Sequence, residues 1–175
     1  MMEIRRIEPG DEAAIERFLD AIPEADRTFL KEDVADPAIL AAWVSPGDAR
    51  SIAVDEQGGV VGYVAVIPLH GWSSHVGEVR IVVDPDSRGR GVGRELARHA
   101  VLEALELDLS KLVVEVIADQ EALIAMFRGL GFEPEALLID HVRDRSGGLR
   151  DLLVLAHSVE QQWASMASAG IVDGL

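Results

Sequence analysis

The sequence predicts an α/β domain with a mixed, mostly antiparallel sheet and helices on both faces. Short apolar or alternating segments, typical of strands, alternate with segments whose apolar residues recur at helical spacing. Two pairs of strands are joined by glycine-containing turns, which predict antiparallel hairpins, and crossover helices connect other strands. The chain has 175 residues, a length that suits one domain with a real hydrophobic core.

The amino-terminal part predicts one strand and two helices. The strand covers residues 4–7 and ends at the turn Pro9-Gly10-Asp11. A second, short helix is predicted over residues 38–43, because Asp36 can cap a helix and Pro37 suits its first turn. The first helix lies between them, and the following residues mark its apolar face: Ala14, Ile15, Phe18, Leu19 and Ile22.

The middle of the chain predicts three strands and a longer helix. Residues 51–54 and 60–67 form a hairpin across Gln57-Gly58-Gly59. Residues 68–74 form a loop, and residues 76–83 form a fourth strand that stops at Asp84-Pro85. A stretch rich in arginine and glycine then leads into a helix with this buried stripe: Leu96, Ala97, Ala100, Val101, Ala104 and Leu105.

The carboxy-terminal part predicts a buried strand, a helix and a second hairpin. Residues 112–117 are strongly apolar, as expected of a strand covered on both faces. Asp119 can cap the next helix, which ends at Gly131. Residues 136–142 and 149–156 flank a Gly-Gly turn and form the hairpin. The domain is therefore expected to cover residues 1–157.

Residues 158–175 are expected to form a short helical tail. Ser158 and Gln161 have the spacing of a capping box, and Trp163 contributes to one apolar edge. Trp163 would either seal the core or contact a second copy of the chain in a homodimer.

Composition excludes several classes of protein. The formal charge of −15 repels phosphate backbones and anionic lipids, so binding to nucleic acid or membrane is not expected. No apolar run is long enough to span a bilayer, and the start of the chain lacks the apolar stretch of a signal peptide, which predicts a cytoplasmic protein. The chain has no cysteine, and therefore no disulfide, thiolate metal site or thiol nucleophile. No metal is expected.

The segment from Arg88 to Arg94, Arg-Gly-Arg-Gly-Val-Gly-Arg, is an anion site set against this acidic background. It lies between a strand and a helix, where glycines allow close backbone approach and the amides of the first helical turn converge. Between residues 88 and 98, four arginines oppose the single acid Glu95, a local charge of +3. The dinucleotide pattern fails because residue 94 is arginine, and the Walker pattern fails because no Gly-Lys-Ser/Thr follows.

Val83-Asp84-Pro85 followed by Arg88-Gly89-Arg90-Gly91-Val92-Gly93 resembles the acetyl-CoA motif of the GNAT N-acetyltransferase superfamily. Its signature is R/Q-x-x-G-x-G/A after a strand that ends in V-x-P, and the order of elements over residues 3–157 agrees with it, as does Leu130-Gly131-Phe132. The resemblance implies a fourth strand splayed from the fifth by a bulge, with the acetyl group in the opening. It also implies an enzyme that uses acetyl-CoA as co-substrate.

The resemblance also implies a layout for the coenzyme. Backbone amides between Arg88 and Arg94 would hold the diphosphate, and the main chain of the fourth strand would bind the pantetheine arm. An amide near Val83 would polarise the thioester carbonyl. The expected coenzyme-binding residues are Ile81, Val82, Val83, Arg88, Gly89, Arg90, Gly91, Val92, Gly93, Arg94, Gln120 and Phe127.

Glu78 is the first candidate for a general base, because family members often place a carboxylate on this strand. An ion pair between Glu78 and Arg80, two residues away on the same face, is an equal alternative. Two further candidates are histidines, a residue type that exchanges protons near neutral pH, and two lie on the sixth strand, from which a side chain could reach the acceptor site. A plain surface role is favoured for each of them: His70, His75, Asp140 and His141.

Two positions depart from the family pattern. Phe127 stands where many members have a tyrosine that protonates the departing thiolate, and Gln120 replaces the usual asparagine. Tyr63, the one tyrosine of the chain, could replace the missing acid if it faced the cleft, but a packed strand residue is the favoured interpretation.

The function expected from the resemblance is direct transfer of the acetyl group from acetyl-CoA to an amine of a small molecule or protein. A catalytically weak or inert acyl-CoA-binding module is the alternative, motivated by Phe127, and a nucleotide-binding protein of another fold is a weaker one. The resemblance places the acceptor between the first two helices, the loop over residues 69–74 and the turn over residues 143–148. Four acids there would favour a cationic acceptor: Glu24, Asp26, Glu32 and Asp33.

Overall fold

A seven-stranded sheet forms the centre of the protein. The computed structural model describes residues 2–23, 26, 31–32, 37–43 and 49–159. The strand order across the sheet is β1-β2-β3-β4-β5-β7-β6. The strands are β1 (Glu3–Arg6), β2 (Ala49–Val54), β3 (Val60–Pro68), β4 (Val76–Val83), β5 (Lys111–Ile117), β6 (Glu133–Arg143) and β7 (Leu149–Ser158).

Among these strands, β4 and β5 form the one parallel pair, and all other neighbours are antiparallel. The mixed, mostly antiparallel sheet predicted from the sequence is therefore confirmed. The β4–β5 ladder begins at Val76 opposite Lys111 and ends at Val79 opposite Val114. Both strands continue beyond that point, so they are splayed along the second half of β4. The β3–β4 ladder runs through this region without a register shift, which differs from the bulge that the resemblance implied.

Four helices cover the two faces of the sheet. They are α1 (Glu12–Ala21), α2 (Pro37–Trp43), α3 (Val92–Glu106) and α4 (Glu121–Arg128). One core lies on the side of α3 and α4 and includes Leu96, Leu112 and Phe132, which are completely buried. The other lies on the side of α1 and α2 and includes Ile15, Ile52 and Tyr63. The sheet thus has helices on both faces.

Close packing of α3 on the sheet depends on Gly62 in β3. A Cβ atom at this position would lie 2.7 Å from Cδ1 of Leu96, a buried residue of α3. Real Cβ atoms do not approach other carbon atoms this closely, so a larger residue would push the helix away. Gly62 therefore fixes the distance between α3, which carries the glycine loop at its start, and the strands next to the opening.

The structure corrects several details of the predicted elements. Gln120, and not Asp119, is the N-cap residue of α4, and Asp119 instead pairs with Arg150 at 2.6 Å. Residues 112–117 do form a strand, but it is not covered on both faces, because Glu115 is exposed beside the opening. Ser158 ends β7, and residues 160–175 of the predicted tail lie outside the described residues.

None of the helices in the described ranges combines the length and the hydropathy that a membrane span requires.

Candidate active site

A cavity of about 960 Å³ follows the opening between β4 and β5. It extends from the start of α3, past the second half of β4 and the start of α4, to β6. Eleven of the twelve predicted coenzyme-binding residues line it: Ile81, Val82, Val83, Arg88, Gly89, Gly91, Val92, Gly93, Arg94, Gln120 and Phe127. Arg90, the twelfth, is exposed and does not line the cavity.

Backbone geometry shapes the end of the cavity at the start of α3. Gly89 and Gly91 have φ angles of +74° and +86°, in the left-handed region that other residues rarely adopt. A Cβ atom at either position would meet nothing within 4 Å, so the backbone conformation and not lack of space requires glycine there. Gly91 is the N-cap of α3, whose first-turn amides have no partner inside the helix. These amides and the helix dipole make this end suitable for an anion.

Two arginines add positive charge to this end of the cavity. Arg88 is half exposed and pairs with Asp26 at 2.5 Å, so part of its charge is already balanced. Arg94, in the first turn of α3, is exposed and also lines the cavity. Arg98, one turn further on, pairs with Glu95 at 2.6 Å and lies outside the cavity lining. The local charge of +3 is therefore not concentrated in the cavity, because Arg88 and Arg98 each pair with an acid. Arg94 contributes most of the uncompensated positive charge at the cavity.

The edge of β4 supplies backbone donors and acceptors in the middle of the cavity. The Asp84 amide donates to the Val61 carbonyl at 3.0 Å. Because bonding to one neighbour alternates along an antiparallel strand, Val82 also bonds toward β3, whereas Ile81 and Val83 direct their amides and carbonyls to the other side. On that side β5 is no longer paired with β4. The backbone groups of Ile81 and the amide of Val83 thus face the opening without a strand partner, while the Val83 carbonyl accepts a hydrogen bond from Nε of Arg88 at 3.4 Å.

Gln120 and Phe127 form the opposite wall. The Oε1 atom of Gln120 accepts a hydrogen bond from the Ile117 amide at 3.2 Å, which leaves its NH₂ group as a donor. Phe127 is 1% exposed and makes an edge-to-face contact with Phe132, with ring centroids 5.1 Å apart. The wall near Phe127 is therefore apolar and has no hydroxyl.

Glu78 lies on β4 just before the opening and is held by two cations. Its Oε1 atom accepts a hydrogen bond from Nε of Arg80 at 3.1 Å and from Nζ of Lys31 at 2.5 Å. Burial favours the neutral acid, but the hydrogen bonds and the positive charges of Arg80 and Lys31 together outweigh it, and the pKa of Glu78 lies below its ordinary value. Glu78 does not itself line the cavity, whereas both of its partners do.

Lys31 and Glu115 complete this end of the cavity. The Nζ atom of Lys31 lies 2.6 Å from Oε2 of Glu115, so one ammonium group contacts both β4 and β5 at the end of their ladder. Sequence reasoning missed both residues. Glu115 is the one charged residue within the apolar run 112–117, which was the signal that could have identified it. Lys31 is 47 positions from Glu78, and no local pattern connects them.

Glu32 extends the row of ion pairs away from the cavity. It accepts hydrogen bonds from Nη1 of Arg80 at 2.9 Å, Nη2 of Arg50 at 3.1 Å and the indole of Trp43 at 2.6 Å. Although burial opposes its ionisation, these contacts hold the pKa of Glu32 below its ordinary value. Arg50 also donates to the hydroxyl of Tyr63.

Tyr63 is 2% exposed and stacks on Trp43 with ring centroids 4.3 Å apart, outside the lining of the cavity. Burial raises the pKa of its hydroxyl far above the ordinary value. In this structure Tyr63 is therefore a packed strand residue.

The histidines considered from the sequence have different positions. His70 and His75 are exposed in the connection between β3 and β4 and do not line the cavity, whereas His141 does. A register shift in β6 lies between Leu138 and Val142, and Asp140 within it has a φ angle of +51°. This irregularity places His141 at the cavity. Of the four predicted acceptor-site acids, Asp26 and Glu32 have been described above, and Glu24 and Asp33 lie outside the described residues.

Comparisons with known proteins agree with this geometry. The family model described as "Acetyltransferase (GNAT) family" matches residues 14–132. Streptothricin acetyltransferase from Streptomyces lavendulae is 31% identical over 153 residues, covering 74% of this chain and 80% of that protein. A protein named "Uncharacterized N-acetyltransferase YjgM" from Escherichia coli is 29% identical over 136 residues, covering 74% of this chain and 81% of that protein.

Solved structures share the fold. A ribosomal-protein-alanine N-acetyltransferase from Brucella melitensis superposes with a TM-score of 0.74 at 25% identity, covering 89% of this chain and 99% of that one. A phosphinothricin acetyltransferase from Sinorhizobium meliloti in complex with acetyl-CoA superposes with a TM-score of 0.74 at 21% identity, covering 90% and 88%. The family match over residues 14–132 and the similar acetyltransferase sequences agree with one another. They show that the chain belongs to the GNAT family and is an acetyl-CoA-dependent N-acetyltransferase.

Proposed function

We propose that this enzyme transfers the acetyl group of acetyl-CoA directly to an amine of a small molecule or a protein, within the cavity between β4 and β5. The observation that carries the proposal is the order of groups along this one cavity. An anion-binding loop lies at one end and an unpaired strand edge in the middle. At the other end lies the amine of Lys31, in contact with Glu115, which lines the cavity, and with Glu78 just outside the lining.

The loop between Arg88 and Arg94 would hold the diphosphate of coenzyme A. Converging amides bind phosphate oxygens without side-chain entropy cost, and the left-handed glycines expose those amides. Arg94 would add a charge-assisted hydrogen bond.

The free edge of β4 would bind the pantetheine arm. Its amide groups can pair with the backbone donors and acceptors of Ile81 and Val83, as an added strand would. The amide of Val83 would then be placed to stabilise negative charge on the carbonyl oxygen during transfer. The NH₂ group of Gln120 would contact the arm from the opposite wall.

Glu78 would assist removal of a proton from the acceptor amine. An alkylamine with a pKa of about 10.4 is mostly protonated at pH 7, and removing its proton costs about 4–5 kcal/mol. The ion pairs of Glu78 make it a weak base in the free enzyme. An acceptor ammonium that replaced Lys31 would meet the same carboxylate oxygen at hydrogen-bond distance.

The departing coenzyme A thiolate would leave without a tyrosine. Phe127 cannot donate a proton, and the buried Tyr63 is outside the cavity lining. A thiol of pKa about 8.5 is a tolerable leaving group, and water can protonate it.

The acceptor is an amine of unassigned structure. One relative is named for streptothricin and another structure for the alanine of a ribosomal protein, so relatives of this fold are named for both small molecules and proteins. Glu78 and Glu115 both contact the ammonium group of Lys31, and these two carboxylates support the proposal that the acceptor is a cationic amine.

The proposal is tested in two steps. Calorimetry measures binding of coenzyme A, and thiol release from acetyl-CoA is then followed across a panel of primary amines. Binding with amine-dependent thiol release is the expected result. Binding without release beyond hydrolysis would indicate an acyl-CoA-binding module, and absence of both would refute the proposal.

The pH dependence of transfer follows from the direction of the shift at Glu78. Its pKa is lowered below an ordinary value of about 4.3, so Glu78 stays ionised from pH 6 upward and its protonation cannot limit the rate there. We expect kcat/KM to rise with pH toward the pKa of the acceptor amine. Initial rates between pH 6 and 9.5 measure this, and an inflection that stays at the same pH with amines of different pKa would contradict it.

A further inference from the structure

We propose that the enzyme acetylates its own Lys31. The inference rests on the proposed function, because it uses the same cavity and the same acetyl donor. It assigns a modification site to one of the two lysines in a chain whose other 14 bases are arginine.

The two lysines form a natural matched pair. Lys31 and Lys111 have side chains that are 35% and 34% exposed, and each lies 2.5 Å from a glutamate oxygen, of Glu78 and Glu135 respectively. Ordinary chemical acetylation requires an exposed amine, so the similar exposure of Lys111 makes it the reference site for Lys31. The lysines differ in position, because Lys31 lines the cavity and Lys111 does not.

The amine of Lys31 occupies the place where an acceptor amine is needed. Its Nζ atom lies between Glu78, one residue before the last β4–β5 pair at Val79 and Val114, and Glu115, one residue after it. The strand edge proposed to hold the thioester continues from there to Val83 along the same cavity. Lys31 therefore stands beside both the acyl path and the proposed base.

The reaction balances without a further reagent. The Lys31 ammonium first gives a proton to Glu78, and the Nζ lone pair then attacks the thioester carbonyl carbon. A C–N bond forms, the C–S bond breaks, and the thiolate takes up the second proton lost by nitrogen. The products are acetyl-lysine, coenzyme A thiol and one proton, which passes from Glu78 to water. Because the nucleophile is part of the chain, no entropy of association with a free acceptor is lost.

The first experiment incubates the full-length protein with acetyl-CoA without an added amine. Peptides containing Lys31 and Lys111 are quantified by mass spectrometry over time. We expect Lys31 to gain one acetyl group at least roughly tenfold faster than Lys111. Well-placed intramolecular nucleophiles react faster than that, so tenfold is a lower bound. Its rate constant should not change with protein concentration. Equal rates at the two lysines, or no acetylation of Lys31, would overturn the inference.

Matched variants separate catalysis from chemical acetylation. Glu78→Gln should slow acetylation of Lys31 by roughly tenfold or more, because the base is lost. Glu135→Gln removes the corresponding partner of Lys111 and should leave Lys31 acetylation unchanged. An unchanged Lys31 rate in Glu78→Gln would contradict the proposed step.

Turnover of added amines by the wild-type enzyme distinguishes the two proposals. If thiol release with added amines occurs while Lys31 stays unmodified, self-acetylation is wrong and the proposed function stands. If neither reaction occurs and coenzyme A does not bind, the proposed function itself fails.

Discussion

The two ends of the β4–β5 opening are built in different ways. At the start of α3, backbone amides and left-handed glycines from one short segment shape the site. At the other end, side chains from the segment between α1 and α2, from β4 and from β5 meet in ion pairs. A family can keep the first end for a common co-substrate while the second end changes with the acceptor. Perturbing each end should therefore affect different measured quantities.

The largest expected effect is at the acceptor end. Glu78→Gln should lower the rate of transfer to an added amine by roughly 10²-fold, in the range for loss of a general base, while the Kd for coenzyme A changes little. Initial rates and calorimetry measure the two quantities. Glu135→Gln, which removes an exposed carboxylate outside the cavity, is the control. If Glu78→Gln weakened coenzyme binding as much as it slowed transfer, the two ends would not be separable.

At the other end, Arg94→Ala should weaken coenzyme A binding by roughly tenfold or more, the loss expected for a charge-assisted hydrogen bond. The matched control is Arg98→Ala, because Arg98 is on the same helix but pairs with Glu95 outside the cavity lining. Calorimetric titration of both variants measures the difference. Similar Kd values for the two variants would show that Arg94 does not contribute to coenzyme A binding.

A glycine pair tests whether backbone conformation creates the anion site. Gly91 and Gly58 have φ angles of +86° and +80°, and neither has an atom within 4 Å of a Cβ position. Alanine at either position should lower the free energy of unfolding by about 1–2 kcal/mol. Only Gly91→Ala should also weaken coenzyme A binding, by several-fold, because Gly58 lies in the β2–β3 turn. Denaturant titration and calorimetry measure these effects, and equal binding by both variants would contradict the assignment.

The smallest effect is expected for Phe127→Tyr. It supplies the hydroxyl that many relatives of this fold are expected to use as an acid, but the ring is 1% exposed and packed against Phe132. Since the thiolate leaves tolerably without help, kcat should change by no more than about threefold. Steady-state rates measure this. An increase of a hundredfold would show that thiolate departure limits the natural enzyme.

The same contrast explains what could be predicted from the sequence. The loop between Arg88 and Arg94 is contiguous, and its glycines and arginines are a local pattern, so eleven of twelve coenzyme-binding predictions line the cavity. Arg90 is exposed and does not line the cavity, and no local pattern distinguishes it from Arg88 and Arg94. The mixed, mostly antiparallel sheet was predicted from hairpins and crossovers, which are local features, whereas the place of β7 between β5 and β6 depends on tertiary pairing.

The acceptor end could not be predicted in the same way. Glu78 was predicted together with its alternative, the ion pair with Arg80, and the structure shows that ion pair at 3.1 Å, while the catalytic role stays a prediction. Lys31 contacts Glu78 and Glu115 only because tertiary structure brings it beside both β4 and β5. No periodic signal in the sequence indicates such a contact for a single lysine side chain.

The row Arg50–Glu32–Arg80–Glu78–Lys31–Glu115 alternates in sign and passes from the core to the cavity. Arg50, at the inner end, is 8% exposed, and Lys31, near the outer end, is 35% exposed. Dissolved salt screens exposed charges over a distance of about 8 Å at physiological ionic strength and reaches buried ones much less. Added salt is therefore expected to weaken the ion pairs at the Lys31 end of the row more than those at the Arg50 end.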